Sequence, residues 1–184
     1  MKQQRLTILL GLVFVVLAFL VLGPALNMPA TSTAVPSAET VRYVYDWPAE
    51  QILALVVDVR GVAPMELQRE AGVWFSPATQ ALVDQQAAEG VARTLAQLPI
   101  LSQLDEVPPE RYAEFGLSRE SLQMFIQVVR TDGTPHALVV GDRAPDQRSY
   151  YVLVDDRPQI YQVLRDPLEF LAFAARDAEQ RANR

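Results

Sequence analysis

One histidine, one pair of adjacent aspartates and one loop mixing acids with arginine are the side chains best placed by type to do chemistry. His136 is the only histidine of the 184 residues and follows Pro135 at the head of an apolar stretch. With a serine and an acid it could complete a Ser-His-Asp triad, the imidazole taking the hydroxyl proton. No Gly-x-Ser-x-Gly elbow holds a serine for that purpose. As a metal ligand it lacks a second histidine, and the chain has no cysteine. His136 is therefore read as a surface or edge histidine. Asp155 and Asp156 could share a cation or a proton, but neighbours in an extended strand point to opposite faces. A turn is the better reading. Asp142, Arg143 and Asp146 share one segment without the alternating acids and glycine of a calcium loop. Gly141 opens no phosphate loop, since Gly-x-Gly-x-x-Gly is missing and no lysine follows Lys2. No catalytic, cofactor-binding or metal-binding residue is assigned.

Trp74, Phe75, Tyr150 and Tyr151 could line a groove for a glycan or small ligand. At strand positions aromatics more often form core and cross-strand pairs, and that reading is favoured.

The elements that must position these residues follow from pattern. Lys2 and Arg5 precede a run from Ile8 to Gly23 with no polar side chain. Residues 6–26 suffice for a helix of ~30 Å, the thickness of a bilayer's hydrocarbon core. The run is longer than a secretory h-region, and the nearest small-x-small site, Ser32-Thr33-Ala34, lies well past it. An uncleaved anchor is favoured over a cleaved signal. A buried core helix would need a polar face, which the run lacks. Positive charge before the span keeps a stub, 1–5, in the cytoplasm and sends the rest across a cytoplasmic membrane. Residues 27–40, rich in Pro, Ala, Ser and Thr, form a linker.

Residues 41–184 form one domain, large enough to fold without a staple. The chain beyond the apolar run carries 14 bases and 22 acids, net −8, which disfavours nucleic acid. Strands are expected at 41–45, 52–60, 64–70 and 73–75 as an antiparallel meander, with Leu53, Leu55, Val57 and Val59 on one face. A helix from Asp84 to Leu98 buries Ala88, Val91, Leu95 and Leu98. A short strand at 101–107 and a helical turn at 109–115, closed by Gly116, come next. Strands at 122–130 and 135–140 flank the hairpin signal Asp132-Gly133. A polar loop at 142–148 and strands at 150–154 and 159–163 follow. A last helix opens at Asp166-Pro167-Leu168-Glu169 with Asp166 as cap, and buries Leu168, Leu171, Ala172 and Ala175. The tail from Arg176 is expected to fray. The order implies an α+β fold, an antiparallel sheet with two or three helices on one face, and hints at a duplicated half.

Val73-Trp74 with Pro77, Phe115-Gly116-Leu117, Leu138-Val139-Val140-Gly141-Asp142, Tyr150-Tyr151-Val152 and Gln159-Ile160-Tyr161-Gln162-Val163 occur in an order that resembles the bacterial DUF4340 family. The likeness spans about residues 41–173. Phe115 stands where the family usually has tyrosine, and Ser118-Arg119 lacks the common nearby proline. The resemblance implies no catalytic residues. Some relatives resemble accessory parts of ABC-type or gliding-associated transport systems, which implies a partner-binding role. The expectation is a single-pass, membrane-anchored, extracytoplasmic module of the bacterial envelope. It would bind another envelope or transporter protein through sheet edges or the 142–148 loop, without cofactor or catalysis; the alternative is a glycan or small-ligand binding module.

Overall fold

The computed structural model describes residues 41–155 and 157–182. The expected stub, anchor and linker at 1–40, the Ser32-Thr33-Ala34 site and Asp156 lie outside the described residues. Among the described residues no helix is long and apolar enough to cross a membrane.

In chain order the elements are β1 (Arg42–Tyr43), a 3-10 turn (Ala49–Gln51), β2 (Ile52–Val59), β3 (Met65–Glu70), β4 (Val73–Ser76), β5 (Ala81–Leu82) and α1 (Gln85–Ala96). Then come β6 (Pro99–Glu106), a 3-10 segment (Pro109–Phe115), β7 (Met124–Arg130), β8 (Pro135–Arg143), β9 (Ser149–Val154), β10 (Gln159–Leu164) and α2 (Arg165–Ala182). The ten strands form one sheet ordered β1-β6-β10-β9-β8-β7-β2-β3-β4-β5. Every neighbouring pair is antiparallel, so the fold is α+β.

The β2–β7 pair joins two meanders, β2-β3-β4-β5 and β7-β8-β9-β10, each followed in sequence by a helix, and β6 and β1 extend the second side beyond β10. Tight turns set both registers. Ala71 and Gly72, at φ 48° and 83°, make the two-residue β3–β4 turn, the positive-φ geometry that matches strand twist. Gly133, at φ 82°, turns β7 into β8, while the Asp132 carboxylate accepts from Thr134 N at 2.9 Å.

Both helices bury their stripes against one sheet face. Ala88, Val91 and Leu95 of α1, Leu98 beyond its end, and Leu168, Leu171, Ala172 and Ala175 of α2 are all buried, as the spacing predicts. Asp84 caps α1 by accepting from Ala87 N at 3.0 Å. Opposite α1 and α2 stand Leu55, Val57, Met65, Leu67, Trp74, Ile126, Val128, Leu138, Val152 and Val163. A second, smaller core lies on the other face. There Ile160, Val139, Tyr151 and Leu153 are covered by Val107, Tyr112, Phe115 and Leu117 of the β6–β7 connection.

Several expectations are corrected. The first strand is only Arg42–Tyr43 and pairs with β6 at the sheet edge, with one further bond from Val44 N to Leu98 O at 2.8 Å before the chain leaves the sheet. A register shift between Ile52 and Ala54 puts Ile52, not Leu53, among the fully buried side chains of β2. β8 runs on to Arg143, which pairs with Tyr150 across another shift, so the 142–148 loop shrinks to 144–148. α2 begins at Arg165, directly after β10, so Asp166 lies inside the first turn rather than before it. Its carboxylate accepts from Arg165 Nε at 3.2 Å and still favours the positive helix end. The expected frayed tail is helical through Ala182. Glu179 accepts from Ala63 N at 2.9 Å, and Asp177 pairs with Arg181 one turn on.

Candidate functional site

The strap between β1 and β2 is where the titratable and aromatic side chains gather. Its route is forced: β1 lies at the sheet edge and β2 in the middle, so residues 44–51 must cross the strands between them. Tyr45 and Trp47 stack at 4.2 Å, and both rings meet the His136 imidazole, at 5.5 and 4.3 Å. The Tyr45 hydroxyl donates weakly to Ala137 O at 3.5 Å. Arg130 lies over Trp47 at 5.1 Å and donates to Gln51 Oε1 at 2.7 Å. Thr131 N donates to Gln51 O, closing the strap onto β7.

His136 is thus a partly buried residue, its side chain 16% exposed, rather than a surface one. Its Nδ1 stands 3.1 Å from Asp155 Oδ2. Asp155 is held in turn: Ala137 N donates to Oδ1 at 2.8 Å, and Asp155 N donates to Ala137 O at 2.7 Å. Its φ of 51° confirms the turn read at this position. The pair has the form of the base and orienting acid of a triad. Yet His136 Nε2 is buried and meets no hydroxyl or other hydrogen-bonding group among the described residues. Burial first, then the Asp155 carboxylate, push the Tyr45 phenol above its ordinary range, with Arg157 opposing. As arranged, the cluster clasps the strap to the β7–β8 hairpin and the β9 end.

The remaining candidates scatter. Asp146 spends its carboxylate within its own loop, accepting from Arg148 N at 2.9 Å, Ser149 N at 3.2 Å and Ser149 Oγ at 3.0 Å. These bonds, led by that of Arg148 N, hold its carboxyl below the usual range. Asp142 does not belong to the loop. It lies at the end of β8 against Gly116, where a Cβ at Gly116 would come within 2.6 Å of Asp142 N. Among the described residues no three His, Cys, Asp or Glu side chains are grouped to hold a metal.

The four aromatics read as core are divided between faces and ends of the sheet. Trp74 is 1% exposed beneath α1. Its Nε1 donates to Glu89 Oε2 at 3.1 Å, and Arg69, paired with Glu89, covers its ring at 4.3 Å. Tyr151 meets Phe115 edge-on at 4.9 Å on the opposite face. Tyr150 accepts from Arg143 Nη2 at 3.1 Å. Phe75 lies half-buried on the outer face of β4, five strands from β9. They line no common groove. A shallow hollow of about 410 Å³ does lie between α1 and α2, bounded by Gly90, Arg93, Thr94, Gln97, Pro167 and Phe170.

The larger unfilled feature is the outer sheet face itself. The β6–β7 connection covers its β10, β9 and β8 portion. On β2, β3, β4 and β7 no counterpart is present among the described residues, and Val56, Phe75, Phe125 and Val129 are only partly buried. Leu82, paired with Phe75, is 76% exposed.

Sequence reasoning missed Tyr45, Trp47, Arg69, Glu89 and Arg130. Tyr45-x-Trp47 in the short connection between two strands was the one local sign; which ring meets His136 depends on a strap crossing the sheet.

Two comparisons with known proteins are empty: no curated protein and no solved structure matches the chain. The sequence model of a family described as a domain of unknown function, DUF4340, matches residues 74–177, from Trp74 in β4 into α2. That span is more than half of the chain and holds both the Gly116 step and the Gly141-Asp142 strand end, so this protein belongs to the DUF4340 family.

Proposed function

We propose that this domain is a protein-binding module of the bacterial envelope, tethered by a membrane anchor at 6–26 and lying outside the cytoplasmic membrane. The likeness of some family relatives to accessory parts of transport systems makes a transporter subunit the natural partner class. The observation that supports the reading is the half-covered outer sheet face. Apolar side chains left partly open on a folded domain and set among polar groups fit an interaction surface. The strand ends fit less well than first expected, since both edge strands, β1 and β5, have two residues each. The 144–148 loop is also a poor contact, because its acid is consumed internally. A glycan reading loses its motive, as Trp74 and Tyr151 are packed on opposite faces.

The test is affinity purification of the full chain from gently solubilised membranes. A stoichiometric protein partner is expected. Purification of the chain alone, or recovery of the chain in the soluble fraction of whole cells, would remove the proposal.

A further inference from the structure

The outer faces of β2, β3, β4 and β7 carry a recognisable charge pattern. Strand alternation turns Asp58, Glu66 and Glu70 outward beside Val56, Phe75 and Phe125. Register places Asp58 opposite Phe125, and Glu66 opposite Val56. The arginines of these strands, Arg69 and Arg130, fall on the other face, against Trp74 and Trp47. The open half of the sheet therefore offers apolar centres and carboxylates with no base at an outward position within its strands, and Arg60, exposed just past the end of β2, is the base that adjoins it in sequence.

We infer that this half-face docks a protein surface that is apolar at its centre and basic at its rim. The inference rests on the binding-module reading above and names the chemistry of the partner. A second copy of this chain would bring like charges together, which costs affinity. An anionic lipid surface would be repelled for the same reason. A basic protein segment satisfies both halves of the pattern, burying Val56, Phe75 and Phe125 while its cations meet Asp58, Glu66 and Glu70. Charge at the rim would chiefly set the rate of encounter, and the apolar centre the lifetime.

The experiment uses the full chain in its own membrane. A photoactivatable phenylalanine analogue replaces Phe75, Phe125 or, on α2, the exposed Phe173, each in a separate strain. Adducts are expected from the first two positions, mapped to a segment of another protein that is apolar and carries net positive charge. Asp58→Lys with Glu66→Lys should lower the adduct yield about tenfold while leaving the unfolding midpoint unchanged. An adduct from Phe173 alone leaves the binding module standing and overturns this face. Adducts to lipid, to residues 27–40, to a second copy or to an acidic segment overturn the partner chemistry. Absence of adducts from all three positions removes both the inference and the reading beneath it.

Discussion

Gly141 lies against the backbone carbonyl of Phe115, with no room for a side chain between them. A Cβ there would press on that oxygen and come within 2.9 Å of Leu117 Cγ and Cδ2. The contact is reciprocal, since Gly116, at φ 68°, turns its own open side to Asp142. Two short motifs separated by a hairpin strand thus interlock, backbone on backbone. They seat the 3-10 segment over the second core.

Gly141→Ala should therefore destabilise the domain by about 1–3 kcal/mol, the usual cost of overpacking. For a domain of this size the thermal midpoint should fall by roughly 3–10 °C. Gly116→Ala adds a left-handed backbone to the same clash and should cost at least as much. Because one contact is broken twice, the double variant should lose less than the sum. Circular dichroism melts of the three variants check this; strict additivity would mean that the two glycines act independently.

Much of the fold was readable because it is local. Ala88, Val91 and Leu95 repeat at helical spacing, and Asp132-Gly133 and Ala71-Gly72 each specify a turn by backbone sterics alone. The sheet order was not readable. β2 pairs with β7 across Ile52–Val59 and Met124–Arg130, segments separated in the chain by four strands, a helix and a 3-10 segment. Nothing in either segment names its partner, since Val, Ile and Leu faces are interchangeable at this level. The same limit hid the site. Tyr45 ended an expected strand and Trp47 fell in an unassigned stretch, and only the strap's path brings both rings to His136. The partly open half-face was hidden too, because Val56 and Phe125 alternate like any strand residue and only the tertiary fold shows that no described residue covers them.

Glu89 should prove the costliest surface-proximal acid to remove. It is 32% exposed, but it pairs with Arg69, whose side chain is only 11% exposed, and it accepts from Trp74 Nε1. Glu89→Ala leaves a buried guanidinium and an indole donor without their acceptor, and is expected to cost about 2–3 kcal/mol. Glu89→Gln keeps a carbonyl for the indole and should cost less. Urea unfolding followed by tryptophan fluorescence measures both. A change within ~0.5 kcal/mol for the alanine variant would show that water replaces the carboxylate freely.

Asp146 should mark the acid limb of stability. Arg148 N first, then the Ser149 hydroxyl and amide, hold its folded pKa below the unfolded value. Its contribution is thus complete above ~3.9 and is lost as pH falls through the lower, folded pKa. Asp146→Asn cannot titrate. The difference in unfolding midpoint between the parent and this variant should be largest near neutrality and shrink on acidification below about pH 4. A difference that stays constant with pH would mean that the loop is held by shape and not by the carboxylate.

Tyr45 should mark the alkaline limb. Burial and Asp155 raise its phenol pKa above the ordinary value, so the folded state keeps the proton that the unfolded chain gives up. Its stabilising effect is complete below ~10, the unfolded value, and falls away as pH climbs from there toward the folded value. Other tyrosines titrate as well, so the informative quantity is again a difference. Tyr45→Phe keeps the stack on Trp47 and removes only the 3.5 Å hydrogen bond to Ala137 O, a loss of about 1 kcal/mol or less. At pH 8 the variant should therefore be slightly the weaker of the two. Above about pH 10 the order should reverse, because only the parent must hold a buried phenol against its tendency to ionise. Equilibrium unfolding in urea at both pH values decides the matter. Parallel alkaline limbs would show that Tyr45 is released from the strap before it titrates, and that His136, Trp47 and Asp155 hold the strap without it.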